Sequence, residues 1–545
     1  MTSRSLGHRA PLLWIVLPML AGLAAARVGD FATVPWLLGG AALMAGATIA
    51  ASSRKPRWFP PLFCAAMFLA GAATYGLHRP RIAAWDRLPA REARLTLVVQ
   101  RVYPQMDARS VAGLATIQKA DTPLNELAGQ RVYFSLAVRQ GEAPPLRSSV
   151  VSAIGVIASL PRDPSPDTFD GYLANAGINF RFSRGRILAE KRPAGAYYRF
   201  CDRQLTRFAK ILGAGVEAKR PELTAVLRAM LLGQQHELSD EQDTLFRQSG
   251  TMHVFSISGL HIAVIAGGLH AILMLLRLPR PMQFVVGMTA LWLYVDITGA
   301  APSAVRAFVM VALVQASLVL RVPRNPLSAL AASALLVILV APLQVFSASF
   351  QMSYSIVAAL LLMGLPLADR WNEKLALFRD LPGVTWTWHH HLRDGLWRAT
   401  LSALALGVSA SLVSAVTSVL FFQLFTPGAL LANLWLIPAS SLSILIGFIS
   451  LVCGLVGFAA GSVLANHAAV LTLWAIDAGV RGSVALPAAW FDATFRAPWL
   501  GNLALALLLA ALGVGYAQRW QGWNRGYWLP FAVVAAVLVA CVKFA

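Results

Sequence analysis

Apolar runs of about 20 residues recur along this chain, and they restrict its fold more than any other feature. Hydrocarbon offers no partner to a backbone N–H or C=O, so a run of this length crosses its ~30 Å as a helix that bonds its own backbone. Windows at Pro11 to Val28, Ala32 to Ala51 and Trp58 to Leu77 give three spans. Ten more fall at about Met252 to Leu276, Met282 to Gly299, Pro302 to Leu320, Pro326 to Phe346, Ser349 to Leu367, Thr400 to Phe425, Leu430 to Ser450, Val463 to Val480, Trp499 to Tyr516 and Trp528 to Val542. The expected fold is a polytopic α-helical membrane protein of about 13 spans, in keeping with 57% hydrophobic and 13% charged residues. Arg4 and Arg9 precede a first run that ends in Ala24, Ala25 and Ala26, as a secretory signal does. Because further spans follow at once, an uncleaved first span is expected.

A net charge of +21 cannot reside in the spans, so Lys and Arg must collect in loops and in any polar insert. The turn "SSRKPR", Ser52 to Arg57, is assigned to the cytoplasm by the positive-inside rule. The long polar stretch after Leu77 then lies outside the cytoplasmic (inner) membrane. Counting onward, Arg277, Arg280, Arg321, Arg324, Arg370, Lys374, Arg379, Arg393, Arg398, Arg519 and Arg525 all fall on the cytoplasmic side, whereas the external turns around Pro342 and Pro427 carry no basic residue. Basic loops of this kind also meet anionic lipid, so the charge alone does not require a nucleic acid.

The polar stretch, residues 78–193, changes to strand periodicity in "LTLVVQRVY", "QRVYFSLAVRQ", "SSVVSAIGVIASL" and "INFRFSRGRILAE". About five short strands predict a small antiparallel barrel of the OB kind, a fold that can bind oligonucleotides across one face. From Arg79 to Arg220 there are 23 Lys or Arg against 12 Asp or Glu. Arg101, Arg131, Arg139, Arg181, Arg184 and Arg186 are the barrel's candidate DNA-binding residues. Residues 194–250 follow with a basic amphipathic helix, "AYYRFCDRQLTRFAKILG", and two short helices, the second opened by a Ser239/Gln242 capping box. The expected organisation is therefore 1–77 with three spans, 78–193 the barrel, 194–250 the short helices and 251–545 a ten-span domain.

Polar residues inside spans cost at least ~2.5 kcal/mol each near the bilayer centre when ionisable, and they normally face protein or a hydrated cavity. Here they concentrate in the outer halves: His253, Ser256 and Ser258, then Asp296, Arg306, Gln351, Ser353 and Asn433, with His261 roughly two helical turns below His253. Together with Gly259 these line a candidate transport path. Asp296 and Arg306 flank one turn, where antiparallel helices would pair them, and Pro438 frees a carbonyl near Asn433, as in a broken helix beside a cavity. Ser258 and His261 are three apart, within reach of each other; a Ser–His hydrolase reading lacks a third orienting group. Cys64, Cys201, Cys453 and Cys541 form no CxxC pair, and His389 to His391 lack the spaced carboxylates of a hydrolytic metal centre, so no metal and no cofactor are expected.

Several stretches together resemble the ComEC/Rec2 competence proteins: "LLGQQHELSDEQDTLFRQSGTMHVFSISGLHIAVIAG", "TGAAPSAVRAFVM", "FQMSYSIVAALLL", "NLWLIP" and "FDGYLANAGI". The resemblance covers nearly the whole chain. It implies an inner-membrane channel that passes single-stranded DNA into the cytoplasm during natural transformation, with an extracytoplasmic OB-like domain. It also places His253, Ser258, Gly259, His261, Arg306, Gln351 and Asn433 at motif positions. Expected partners are single-stranded DNA and the bilayer, with a separate nuclease, DNA receptor and cytoplasmic motor beside them. Longer relatives carry a C-terminal metallo-β-lactamase-like domain with an HxHxDH-type motif; nothing here matches it, so no nuclease activity is expected of this polypeptide. A secondary transporter for a smaller anionic solute is the main alternative, and an intramembrane serine hydrolase a lesser one.

Overall fold

The computed structural model describes residues 10–29, 34–54, 56–78, 88–103, 109–122, 124–138, 143–161, 164–165, 168–322, 325–378, 386–521 and 526–544. The chain divides into two compact units: Met1–Arg207 with Leu293–Ala300 and Ala331–Phe350, and Phe208–Trp292 with Ala301–Leu330 and Gln351–Ala545.

The first unit opens with three apolar helices, α1 (Leu13–Gly29), α2 (Val34–Arg54) and α3 (Phe59–His78). Small residues let α1 and α3 approach closely: a Cβ on Gly22 would enter the carbonyl of Phe68, and one on Gly71 would enter that of Met19. Strands β1 (Arg91–Tyr103), β2 (Ser110–Ala120), β3 (Arg131–Ala137), β4 (Val150–Ser159) and β5 (Phe180–Arg192) then close into a barrel in the order β1-β2-β3-β5-β4. Only β3 and β5 pair in parallel. Closure leaves no unpaired edge, and the interior is filled by Leu95, Leu97, Ile117, Phe134 and Phe182, all fully buried.

The alternation in the sequence marks four of these strands and not β2, whose Ala and Gly residues give a weak strand signal. Gly113 of β2 is there for space, since a Cβ would strike the carbonyl of Arg101 beside the bulge in the β1–β2 pairing. Between β4 and β5 lies a short helix, α4 (Phe169–Asn175), whose N-cap Thr168 Oγ1 accepts from Gly171 N at 3.1 Å. Leu173 and Ile178 pack with Leu114 on the outer wall of the barrel, with Tyr103 and Tyr133 against them. At the other end of α4, Arg27 of α1 donates to Asn175 Oδ1 at 3.0 Å.

The amphipathic helix forms as α5 (Ala196–Gly213). In the second unit its last carbonyls are capped: Asn466 Nδ2 donates to Ile211 O at 2.7 Å and to Ala214 O at 3.0 Å. After α6 (Pro221–Leu232), α7 (Asp240–Gln248) begins with the expected reciprocal cap between Ser239 and Gln242, 3.2 Å in each direction. The remaining helices are α8 (Gly259–Leu275), α9 (Arg280–Ile297), α10 (Pro302–Val319), α11 (Pro326–Val340), α12 (Ala348–Ala359), α13 (Leu365–Lys374), α14 (Trp388–Phe422), α15 (Ala429–Leu455), α16 (Ala459–Val484), α17 (Pro498–Ala517) and α18 (Trp528–Cys541). A π-helical turn, Leu360–Gly364, joins α12 to α13.

Among the described residues nine helical segments are long and apolar enough to cross a membrane, and Leu13–Gly29, Pro326–Val340 and Trp528–Cys541 are shorter apolar helices. The molecule is a mostly helical, multi-pass membrane protein with an inserted closed β-barrel. A small three-stranded sheet of Leu424–Phe425, Phe491–Phe495 and Val542–Phe544 was not expected, because such short pairings carry no readable periodicity.

Two local expectations change. The segment from Met252 is not one continuous helix: a 3₁₀ turn at Met252–Val254 and a non-helical stretch to Ser258 precede α8. Conversely, α15 runs unbroken through Pro438. The one backbone bond lost, that to Leu434 O, is tolerated in a helix packed among others, and the Ser440 hydroxyl donates to Leu436 O at 2.6 Å just beyond it.

Candidate functional site

The second unit carries buried polar groups near the starts of several of its helices. Gly250, at φ +69°, turns the chain after α7, and a Cβ there would press on Thr426 and Ala429 at the start of α15. The chain then passes exposed His253 and half-exposed Ser256 to Ile257, whose carbonyl accepts from Ser303 Oγ of α10 at 2.7 Å. A Cβ on Gly259 would lie 3.9 Å from Ala307 Cβ, so the N-terminal turns of α8 and α10 adjoin. α8 packs on both α10 and α15.

Ser258 is the N-cap of α8, and its backbone N–H donates to His261 Nδ1 at 3.2 Å while its hydroxyl lies 2.9 Å from the same atom. An amide N–H can only donate, so Nδ1 carries the lone pair and the neutral ring bears its proton on Nε2. That Nε2 is buried and has no hydrogen-bond partner among the described residues. The Ser258–His261 contact expected from their spacing is thus a capping interaction. No side chain among the described residues bonds Nε2 as the third member of a triad would, although the Val254 backbone acts on the ring, so a serine-hydrolase reading gains no support.

Gln351 Oε1 on α12 and Asn433 Oδ1 on α15 are likewise buried without a partner among the described residues, as is Gln234 Oε1 in the turn after α6. Gln235, beside it, donates to Phe255 O at 3.5 Å. Arg306 on α10 is 2% exposed and interacts with Tyr354 of α12, one residue beyond half-buried Ser353. His261 and Gln351 lie in the first turn of their helices, where free backbone N–H groups and the helix dipole favour negative charge, and Arg306 and Asn433 open the second turn. Native proteins seldom leave buried polar atoms unsatisfied, at roughly 1–3 kcal/mol each, and water or a ligand normally completes them. Gln234 was missed by the reading from depth because it precedes the first ten-span window, although "LLGQQ" lies inside a quoted motif.

Asp296 belongs to the first unit, and there its carboxylate accepts from Arg147 Nη1 at 2.7 Å. Tyr197 also bonds to it, and burial followed by that bond pushes the Tyr197 hydroxyl above its ordinary pKa. Arg147, which also sits 4.9 Å over the Tyr198 ring, replaces Arg306 as the partner foreseen for Asp296. No sequence rule links residues 149 positions apart.

On the barrel, Arg101, Arg131 and Arg181 gather around α4. Arg131 donates to Ala176 O at 3.0 Å and to Gln100 Oε1 at 3.2 Å, and Arg181 reaches Asp170 at 3.2 Å. Burial pushes the Tyr103 hydroxyl upward, with Tyr172 adding and Arg101 opposing. Arg184 and Arg186 lie farther along β5, exposed; Arg139 lies outside the described residues.

Among the described residues no three or more His, Cys, Asp or Glu converge as a metal site. His390 Nδ1 caps its own helix from 2.8 Å off Thr387 Oγ1, and His389 and His391 lie against Trp388 and Trp386.

A closed barrel inserted into a multi-pass helical protein, with buried polar atoms that find no partner among the described residues near the starts of several membrane helices, defines the class: a multi-pass membrane protein with an inserted β-domain. A protein-family model described as Competence protein matches residues 230–521, and the chain belongs to that family. One relative is ComE operon protein 3 of Bacillus subtilis (strain 168), 31% identical over 142 residues, which are 26% of this chain and 18% of that protein. The matched segment thus spans less than a fifth of that relative. No solved structure matches.

Proposed function

We propose that this protein carries single-stranded DNA across the inner membrane during natural transformation. The observation that carries the reading is the set of buried side-chain atoms on His261, Gln351 and Asn433 without a hydrogen-bond partner among the described residues, each near the start of a membrane helix and all within the family match. A strand bearing one phosphate per nucleotide must stay hydrated or hydrogen-bonded throughout its passage, and helix starts supply N–H groups aimed at anions. His253, Ser256, Ser258, Gly259, Arg306 and Ser353 complete the proposed path, and Asp296 with Arg147 braces the first unit. About 13 spans, an OB-like identity for the barrel, its extracytoplasmic side and the boundaries at 77, 193 and 250 belong to the same proposal. So does the absence of nuclease activity, with strand degradation left to a separate protein.

Helix starts would also suit a transporter of a smaller anion. The two separate in one experiment: strains lacking the protein, or carrying Asn433→Ala at matched abundance, are scored for transformation frequency and for uptake of labelled phosphate. Loss of transformation with unchanged phosphate uptake is expected. Normal transformation with lost phosphate uptake would overturn the DNA reading.

A further inference from the structure

The outer wall of the barrel carries an aromatic and arginine patch that its core does not need. Tyr103 and Tyr133 stand outside the barrel interior, under α4. On α4 itself Phe169 is 46% and Tyr172 41% exposed, which is unusual for large rings on a polar, basic insert. The rings are nonetheless held in register. Tyr133 meets Phe169 edge-on at 5.0 Å, Phe169 lies nearly parallel to Tyr172 at 6.0 Å, and the Tyr103 and Tyr172 hydroxyls are 3.1 Å apart. The Thr168 cap at one end of α4 and the Arg27–Asn175 bond at the other fix the helix that presents them.

Cations surround these rings. The Arg181 guanidinium lies 5.9 Å from the Tyr133 ring and 5.7 Å from the Phe169 ring, and Arg101 lies 5.3 Å over Tyr103. Asp170, paired with Arg181, is the acidic group in contact with them. Flat apolar faces open to solvent and rimmed by guanidinium groups match a chain of aromatic bases on an anionic backbone.

We infer that Phe169 and Tyr172, backed by Tyr103 and Tyr133 and flanked by Arg101 and Arg181, form a base-stacking platform for single-stranded DNA on the barrel wall. This rests on the transport of DNA proposed above and adds to it a specific, sequence-tolerant contact made through the bases. Arginines alone would hold the backbone and leave base identity and base presence irrelevant.

The full-length protein in nanodiscs of zwitterionic lipid is titrated with a fluorescent thymidine oligonucleotide and with an abasic strand of the same length, reading anisotropy. The wild type should bind the thymidine strand more tightly. Phe169→Ala and Tyr172→Ala should each weaken it about 5- to 150-fold, since stacking on one ring has that effect, while leaving abasic binding and the salt slope unchanged. Arg181→Ala should instead flatten the slope of log K against log salt by about 0.7. Phe169→Leu keeps apolar volume without a flat face, and should lose the preference for bases as Phe169→Ala does. Equal wild-type affinity for the two strands overturns the platform and leaves the conduit reading standing. A wild type that binds neither strand overturns both. Phe169→Leu with an intact base preference also overturns the platform.

Discussion

Gln351→Met should make the protein more stable and less active. The two side chains have the same length and nearly the same volume, so packing of α12 is preserved. What disappears is the side-chain amide, whose Oε1 is buried and without a partner among the described residues. An unsatisfied buried acceptor costs roughly 1–3 kcal/mol, so its removal should stabilise the fold by about that amount. In a packed structural role the same change would forfeit a hydrogen bond and destabilise by ~1 kcal/mol, so the sign alone distinguishes the two accounts. Purified wild type and variant in one detergent are unfolded by heat and by denaturant, followed through tryptophan fluorescence. Transformation frequency is scored in strains with matched abundance, and a fall of at least about fivefold is expected, the equivalent of one modest hydrogen bond to the passing strand. A variant that melts below the wild type refutes the reasoning. So does one that melts higher yet transforms normally, because the atom would then be a defect with no function.

At His261, Gln can accept from Ser258 N–H as Nδ1 does and carries an amide donor in place of Nε2–H, so His261→Gln should keep abundance and most of the transformation frequency. His261→Met supplies neither group and strands the Ser258 amide, so it should lose about 1–3 kcal/mol in thermal unfolding and most transformation; equal behaviour of the two variants would deny the cap. Burial holds the His236 imidazole below its ordinary pKa, with Glu237 partly opposing. The folded state therefore binds this proton less readily than the unfolded chain, so stability is intact above about pH 6.5 and falls as the pH drops below it. His236→Asn should shrink the loss of melting temperature between pH 7 and pH 5; an unchanged slope would remove His236 from the account.

The sequence by itself determined the secondary structure class and its order. Twenty-residue apolar runs have one stable solution in hydrocarbon, and helices form where those runs lie. Alternation in Leu95 to Tyr103 and Ile178 to Glu190 likewise specified strands, because a one-residue slip would expose the barrel core. Local caps were legible for the same reason: Ser239 with Gln242 and Ser258 with His261 need only three residues of chain. Choosing polar residues within spans was possible because hydrocarbon penalises them wherever the helices later pack.

Tertiary structure decided which of those groups find partners. Asp296 is satisfied by Arg147 across 149 residues, whereas Gln351 Oε1, Asn433 Oδ1 and His261 Nε2 are left without one among the described residues. It also decided that the chain breaks before Ser258 and continues through Pro438, since a local preference of a few kcal/mol yields to the packing around it. Nothing in the stretch "FDGYLANAGI" marks the rings of Phe169 and Tyr172 as exposed. Only closure of the barrel beneath α4, which fills the interior with other side chains, leaves their faces in solvent.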